Sequence, residues 1–201
     1  MKAADVVLGA RYSGGEIDFA EIFTWPEGKR RPVELEIGCG KGKFLVDAAA
    51  RWPEHDFIAI EQVAALVRKA SGKAARMGLS NVRLLRTNAK EALARQVLPA
   101  SLRRVHVYFP DPWPKRRHAK HRFFAGPMPD AIARALEPGG ELLLATDHDP
   151  YFREVVARLA AHRGFVRVLP DPFAEIPTGG FDAIFAGAGV PIFRAIWQRR
   201  R

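Results

Sequence analysis

Val33-Glu34-Leu35-Glu36-Ile37-Gly38-Cys39-Gly40-Lys41-Gly42 (residues 33–42, VELEIGCGKG) decides how this chain reads. Val33 to Ile37 has the aliphatic, β-branched character of a strand. Three glycines follow at alternate positions, where they permit a tight turn and let a ligand approach the backbone. Phe44, Leu45 and Ala48 then mark the apolar face of a helix that stops at Trp52-Pro53. Strand, glycine loop and helix in that order open a sheet that binds its ligand at the carboxyl ends of its strands.

Working outward, the same unit repeats. Asp56 to Glu61 is a second strand with an acid at its end, and Val63, Leu66, Val67, Ala70 and Ala74 line one face of the helix behind it, up to Gly78. Val82 to Leu85 is a third strand, with Asn88 just past it, and a short helix leads to a fourth from Val105 to Phe109. Glu141 to Ala145 is a fifth strand ending at Thr146-Asp147. A helix from Tyr151 to His162, a strand from Phe165 to Leu169 and a last strand from Pro191 to Gln198 complete the count. Alternating strands and helices predict an α/β, doubly wound, mostly parallel sheet of seven strands with helices on both faces. Residues 1–32 carry no strong period and read as an N-terminal extension to a single domain over 33–201.

The acids around the glycine loop choose between ligands. A dinucleotide fingerprint places its third glycine one position later, where this chain has Lys43. Glu36 beside the pocket repels a pyrophosphate but suits the ammonium and sulfonium of S-adenosylmethionine. Glu61, at the end of the next strand, suits ribose hydroxyls in either case. Cys39 reads as a small buried thiol.

The fourth strand runs into Pro110-Asp111-Pro112-Trp113-Pro114, which cannot continue it because prolines lack the N–H. A carboxylate and an indole are thereby set on a stiff loop at a strand end. Lys115, Arg116, Arg117, His118, Lys120, His121 and Arg122 crowd positive charge beside them. Together they read as a surface for a polyanion, with Lys115, Arg116, Arg117, Lys120 and Arg122 on phosphates. Trp113 has two readings, stacking on a base or packing in the protein.

Composition favours nucleic acid or another acidic partner. The chain has 201 residues with 48% hydrophobic and 27% charged, and 32 Lys+Arg against 22 Asp+Glu give a net charge of +10. A single cysteine excludes an internal disulfide and fits a reducing compartment. No apolar run reaches the roughly 18 residues of a membrane span. With no signal-peptide order at its start, the chain is expected in the cytoplasm. The His and Asp residues near 118–121 and 147–149 match no zinc spacing, so no metal is expected.

Taken together, LEIGCGKG, the acid after the second strand, FPDPWPKRRHAKHR and ATD resemble the bacterial tRNA (guanine-N7-)-methyltransferases, the TrmB family, over roughly residues 33–162. The resemblance implies a Rossmann-like class I methyltransferase fold with an antiparallel last strand. It also implies S-adenosylmethionine as cofactor and N7 of a variable-loop guanine in tRNA as target, without an obligatory protein subunit, as monomer or homodimer. It carries cofactor contacts onto Glu36, Gly38, Gly40, Gly42, Glu61, Asn88 and Asp111, catalysis onto Asp111, and substrate contacts onto Lys115, Asp147, Thr178 and Asp182, beside the cations Arg116, Arg117 and Lys120. Asp111 fits two roles, stabilising charge that develops on the base or hydrogen-bonding its edge. The chain departs from the family in three places. Asn88 replaces an acid, Thr178-Gly179-Gly180-Phe181-Asp182 replaces a T-x-x-E motif, and His148 stands where tryptophan is common. Methylation of another RNA site, or RNA binding without turnover, are the alternatives.

Overall fold

The computed structural model describes residues 2–8, 15–26, 29–169 and 189–201, with only the backbone of Ala4 and Arg116. Thr178 and Asp182 lie outside the described residues. In chain order the elements are α1 (Ala3–Val6), β1 (Val7–Leu8), α2 (Phe19–Phe23), β2 (Val33–Ile37), α3 (Lys43–Arg51), β3 (Asp56–Ile60), α4 (Ala64–Arg76) and β4 (Val82–Leu85). They continue with α5 (Ala89–Arg95), β5 (Leu102–Tyr108), a 3-10 helix (Arg116–His121), α6 (Met128–Ala135), β6 (Leu136–Thr146), α7 (Asp149–Ala160), β7 (Phe165–Val168) and β8 (Phe193–Arg199).

The strands form one sheet in the order β1-β4-β3-β2-β5-β6-β8-β7. β8 is antiparallel to both β6 and β7, and the other pairings are parallel. The expected sheet is therefore present, corrected from seven strands to eight. The eighth is Val7–Leu8, which pairs with Leu84 and Leu85 of β4. Two residues are too few for a sequence period, so only the neighbouring edge reveals this strand. The N-terminal segment is tied down elsewhere too. Ile17 bridges Val97, Phe19, Ile22 and Phe23 are buried, and the Trp25 indole donates to Asp56 Oδ2 at 2.6 Å.

β2 and β3 are buried along their whole length, as central strands covered by helices on both faces must be. One core packs Leu35, Ile58, Val105 and Leu142 with helices α5 to α7, and the other packs Ala59, Leu84 and Leu143 with α3 and α4. β6 begins earlier than expected, because Leu136-Glu137-Pro138-Gly139-Gly140 joins the sheet through an irregular register beside Leu102–Arg104. A Cβ on Gly140 would sit 2.9 Å from the Glu137 carbonyl oxygen, so the chain takes glycine there. The strand order reverses between β2 and β5, which opens a crevice at their carboxyl ends.

Candidate active site

The crevice holds a cleft of about 670 Å³, bordered by Gly38, Glu61, Val63, Asn88, Tyr108, Asp111 and Lys120 among others. Loops after β2, β3, β4 and β5 thus meet in one place. Gly38, Gly40 and Gly42 have φ of 71°, 54° and 67°, a left-handed backbone that side chains resist. Gly42 also has no room, since a Cβ would lie 2.6 Å from the Ala70 Cβ. The loop is therefore seated directly on α4.

Glu61 stitches the loop to its neighbour. Its Oε2 accepts the Gly40 N–H at 3.1 Å and its Oε1 the Val63 N–H at 2.9 Å. A carboxylate oxygen has a further lone pair, so Glu61 still has acceptor capacity toward the cleft it borders. Glu36 lies behind the loop, outside the cleft wall, with 6% of its surface exposed and, among the described residues, no hydrogen-bond partner for Oε2. Burial, with the charge of Glu61 adding to it, pushes its carboxyl up to about 8. A buried acceptor left without a donor is costly in a folded protein unless a ligand completes it. Burial and the same two carboxylates push the Cys39 thiol up, so it is no nucleophile at neutral pH.

Asn88 is the N-cap of α5, its Oδ1 accepting from the Lys90 and Glu91 N–H groups at 2.9 and 3.4 Å. An acid would cap equally well, so the departure from the family keeps the helix start and removes only the charge.

Asp111 is exposed on the cleft wall. It stands between Phe109 and Trp113, whose φ values of 50° and 41° are rare outside glycine. Arg122 holds this strained loop. Its Nε donates to the Pro112 carbonyl at 2.9 Å and its Nη2 to the Trp113 carbonyl at 3.1 Å. Its Nη1 pairs with Glu154, and its guanidinium lies 5.5 Å from the centre of the Tyr151 ring. The reading of Arg122 as a phosphate contact is thereby corrected, because the guanidinium is turned inward and used by the loop. Sequence spacing could not separate it from its neighbours in a tract of like residues.

The remaining expected residues divide by position. The 3-10 helix brings Lys120 and His121 to the cleft, while Lys115 and Arg117 are exposed outside its wall. Trp113 is 37% exposed and its indole meets the imidazoles of His118 and His121 at 5.7 and 5.2 Å. Asp147 follows β6, exposed and outside the residues that border the cleft. His148 caps α7, with Nδ1 accepting the Tyr151 N–H at 3.1 Å, which accounts for its place in the sequence. Among the described residues no group of three His, Cys, Asp or Glu is placed to hold a metal.

Two features were missed. Lys90 borders the cleft and donates to the Arg122 carbonyl at 2.7 Å. Beneath the cleft, Glu34 Oε2 meets His106 Nε2 at 2.7 Å, and His106 Nδ1 meets the Tyr108 hydroxyl at 2.8 Å. Both polar positions on β5 alternate with valines, a signal that marks one common face.

Sheet order, glycine loop and the two acids define a class I methyltransferase that uses S-adenosylmethionine. Orphaned Glu36 and the glycine cradle fit that cofactor. Solved structures support the fold. The 16S rRNA methyltransferase KamB is 19% identical with a TM-score of 0.63, covering 92% of this chain and 95% of that one. The aminoglycoside resistance methyltransferase NpmB1 is 21% identical with a TM-score of 0.58, covering 86% and 89%.

A family described as putative methyltransferase matches residues 30–177. A tRNA (guanine-N(7)-)-methyltransferase of Mycobacterium avium is 39% identical over 180 residues, 86% of this chain and 68% of that protein. Its namesakes in Thermus thermophilus and Escherichia coli are 39% and 36% identical, with 53% and 65% of their lengths covered. The chain belongs to this tRNA (guanine-N(7)-)-methyltransferase family, and it spans between about half and two thirds of the length of these three relatives.

Proposed function

We propose that the protein transfers a methyl group from S-adenosylmethionine to N7 of a guanine in the variable loop of tRNA. One observation carries the reading: Asp111 and Lys120 border the same cleft as Gly38 and Glu61, so the acid and a cation of the basic tract meet the cofactor site. The bound cofactor supplies an electrophilic methyl on a sulfonium. Guanine N7 carries a lone pair and no proton, so no base has to act first, and placement does most of the work. The product purine is cationic. Asp111, held on its braced loop, faces that charge as it develops, and a carboxylate placed beforehand lowers the barrier. With the cofactor bound, Glu36 would hold the ammonium or sulfonium, Glu61 the ribose hydroxyls, and the Asn88 amide the adenine. Lys115, Arg116, Arg117 and Lys120 hold phosphates around the target, with Asp147, Thr178 and Asp182 as further substrate contacts. The protein acts in the cytosol without an obligatory subunit, as monomer or homodimer.

The test is transfer of labelled methyl from S-adenosylmethionine to unmodified tRNA transcripts, followed by chain cleavage at 7-methylguanine. One cut in the variable loop is expected, and label at another base or none overturns the assignment. In the same assay Asp111→Ala should lose most turnover, and near-normal turnover would remove it from catalysis.

A further inference from the structure

A second concave surface lies outside the cleft. Lys41 of the glycine loop joins Arg68, Lys69, Lys73 and Arg76 of α4 around a depression of about 400 Å³, which Ala65 also borders. On a helix of 3.6 residues per turn, positions 65, 68, 69, 73 and 76 form one stripe, opposite the buried Val67, Ala70, Ser71 and Ala74.

The stripe is not explained by the needs of the fold. No hydrogen bond or ion pair to the side chains of these five cations is found among the described residues. Lys69 and Lys73 are four residues apart and repel each other. A cation in the last helical turn complements the helix dipole, which accounts for Lys73 and Arg76. It does not account for Lys41, Arg68 or Lys69. Gly42 packs against Ala70, so the loop cation and the helix cations are held as one surface.

Position gives the surface its partner. Leu66 at the start of α4 borders the cofactor cleft, as do Asp111, Lys120 and His121; α4 follows β3 and the basic tract follows β5, the strands on either side of β2. A polyanion laid over the cleft toward the 115–122 tract therefore has a second basic surface on the other side of the mouth. We infer that this α4 groove is a second binding site for the RNA backbone, which grips phosphodiesters of the substrate remote from the methylated base. The inference rests on the reading of RNA as the substrate.

The test compares the full chain with an Arg68→Gln/Lys69→Gln/Lys73→Gln variant, since glutamine keeps the helix propensity. Binding to an unmodified tRNA transcript is measured against salt, and methyl transfer separately. The expected result is about tenfold weaker binding and a salt slope smaller by about 2 to 3, at roughly 0.9 per duplex phosphate contact. The kcat at saturating tRNA and the affinity for S-adenosylmethionine stay unchanged. Lys69→Arg/Lys73→Arg should retain wild-type binding. An unchanged slope in the glutamine variant overturns the site. So does a variant that keeps tRNA binding but loses adhesion to phosphatidylglycerol vesicles, which would make the groove a membrane contact. Because binding is read apart from transfer, a lowered slope supports the groove even if no methyl reaches tRNA, and that failure counts against the activity alone. A wild-type chain with no affinity for tRNA overturns both.

Discussion

Glu34 and Glu36 sit two residues apart on one strand, on the same face, with 1% and 6% of their surfaces exposed. The fold treats them oppositely. Burial by itself pushes the Glu34 carboxyl up, but hydrogen bonds from His106 and His55, and the charges of His106 and Arg104, outweigh it and hold the group well below the usual carboxylate range. Its oxygens lie 2.6 Å from His55 Nδ1, 3.3 Å from Arg104 Nη1 and 2.7 Å from His106 Nε2. Among the described residues Glu36 meets no cation, only the negative charge of Glu61, and it is raised to about 8. A buried acid completed by the protein belongs to the structure. One left incomplete awaits a ligand.

The largest expected effect falls on the completed acid. Glu34→Ala leaves His55 and His106 without their carboxylate and Arg104 with Glu141 alone, and it should lower unfolding free energy by about 3–5 kcal/mol, as breaking a buried pair does. Chemical denaturation of the cofactor-free protein measures it. A loss under about 1 kcal/mol would erase the distinction between the two acids.

Glu36→Gln should act the other way round. Cofactor affinity should fall about 10- to 100-fold, the equivalent of losing a charge-assisted hydrogen bond of roughly 1.5–3 kcal/mol. Stability without cofactor should stay level or rise, because an orphaned carboxyl has been removed. Calorimetric titration and a melting curve give both numbers, and intact affinity would take Glu36 out of the site.

Their pH responses sharpen the contrast, because the signs differ. Glu36 is protonated more readily folded than unfolded, so its contribution is fully present below 4.5 and is lost as pH rises toward about 8. Glu34 contributes above 4.5 and loses its contribution as pH falls through its lowered folded value. Binding of a cationic cofactor should deprotonate Glu36 and release close to one proton at pH 7. Calorimetry in buffers of different ionisation enthalpy detects this, and zero release would mean Glu36 is already charged.

The basic tract shows the same division on a smaller scale. Arg122, with its donors on Pro112, Trp113 and Glu154, should cost about 1–3 kcal/mol of stability when replaced by alanine. Arg117→Ala, exposed at the surface, should change stability by less than about 0.5 kcal/mol. It should lower the salt slope of tRNA binding by about 1. Equal effects at both positions would break the comparison.

Much of this was legible in the chain itself. Local chemistry specified the glycine loop, because only glycine tolerates three left-handed positions in five residues. Period and punctuation specified the alternating units, and proline specified the end of β5. Family motifs placed Glu36, Glu61 and Asp111, all of which the fold brings to or beside one crevice. What tertiary structure decided was partnership. Glu34 and Glu36 look alike in sequence, as do Arg117 and Arg122, and β1 is too short to show a pattern. Burial and hydrogen bonding depend on residues 21 to 72 positions away, such as His55, Arg104 and His106 around Glu34. The sequence determined which groups can carry charge and where the chain turns. Only the packed sheet decided which of those charges the protein satisfies and which it leaves for a ligand, because that balance is set by neighbours the local sequence does not contain.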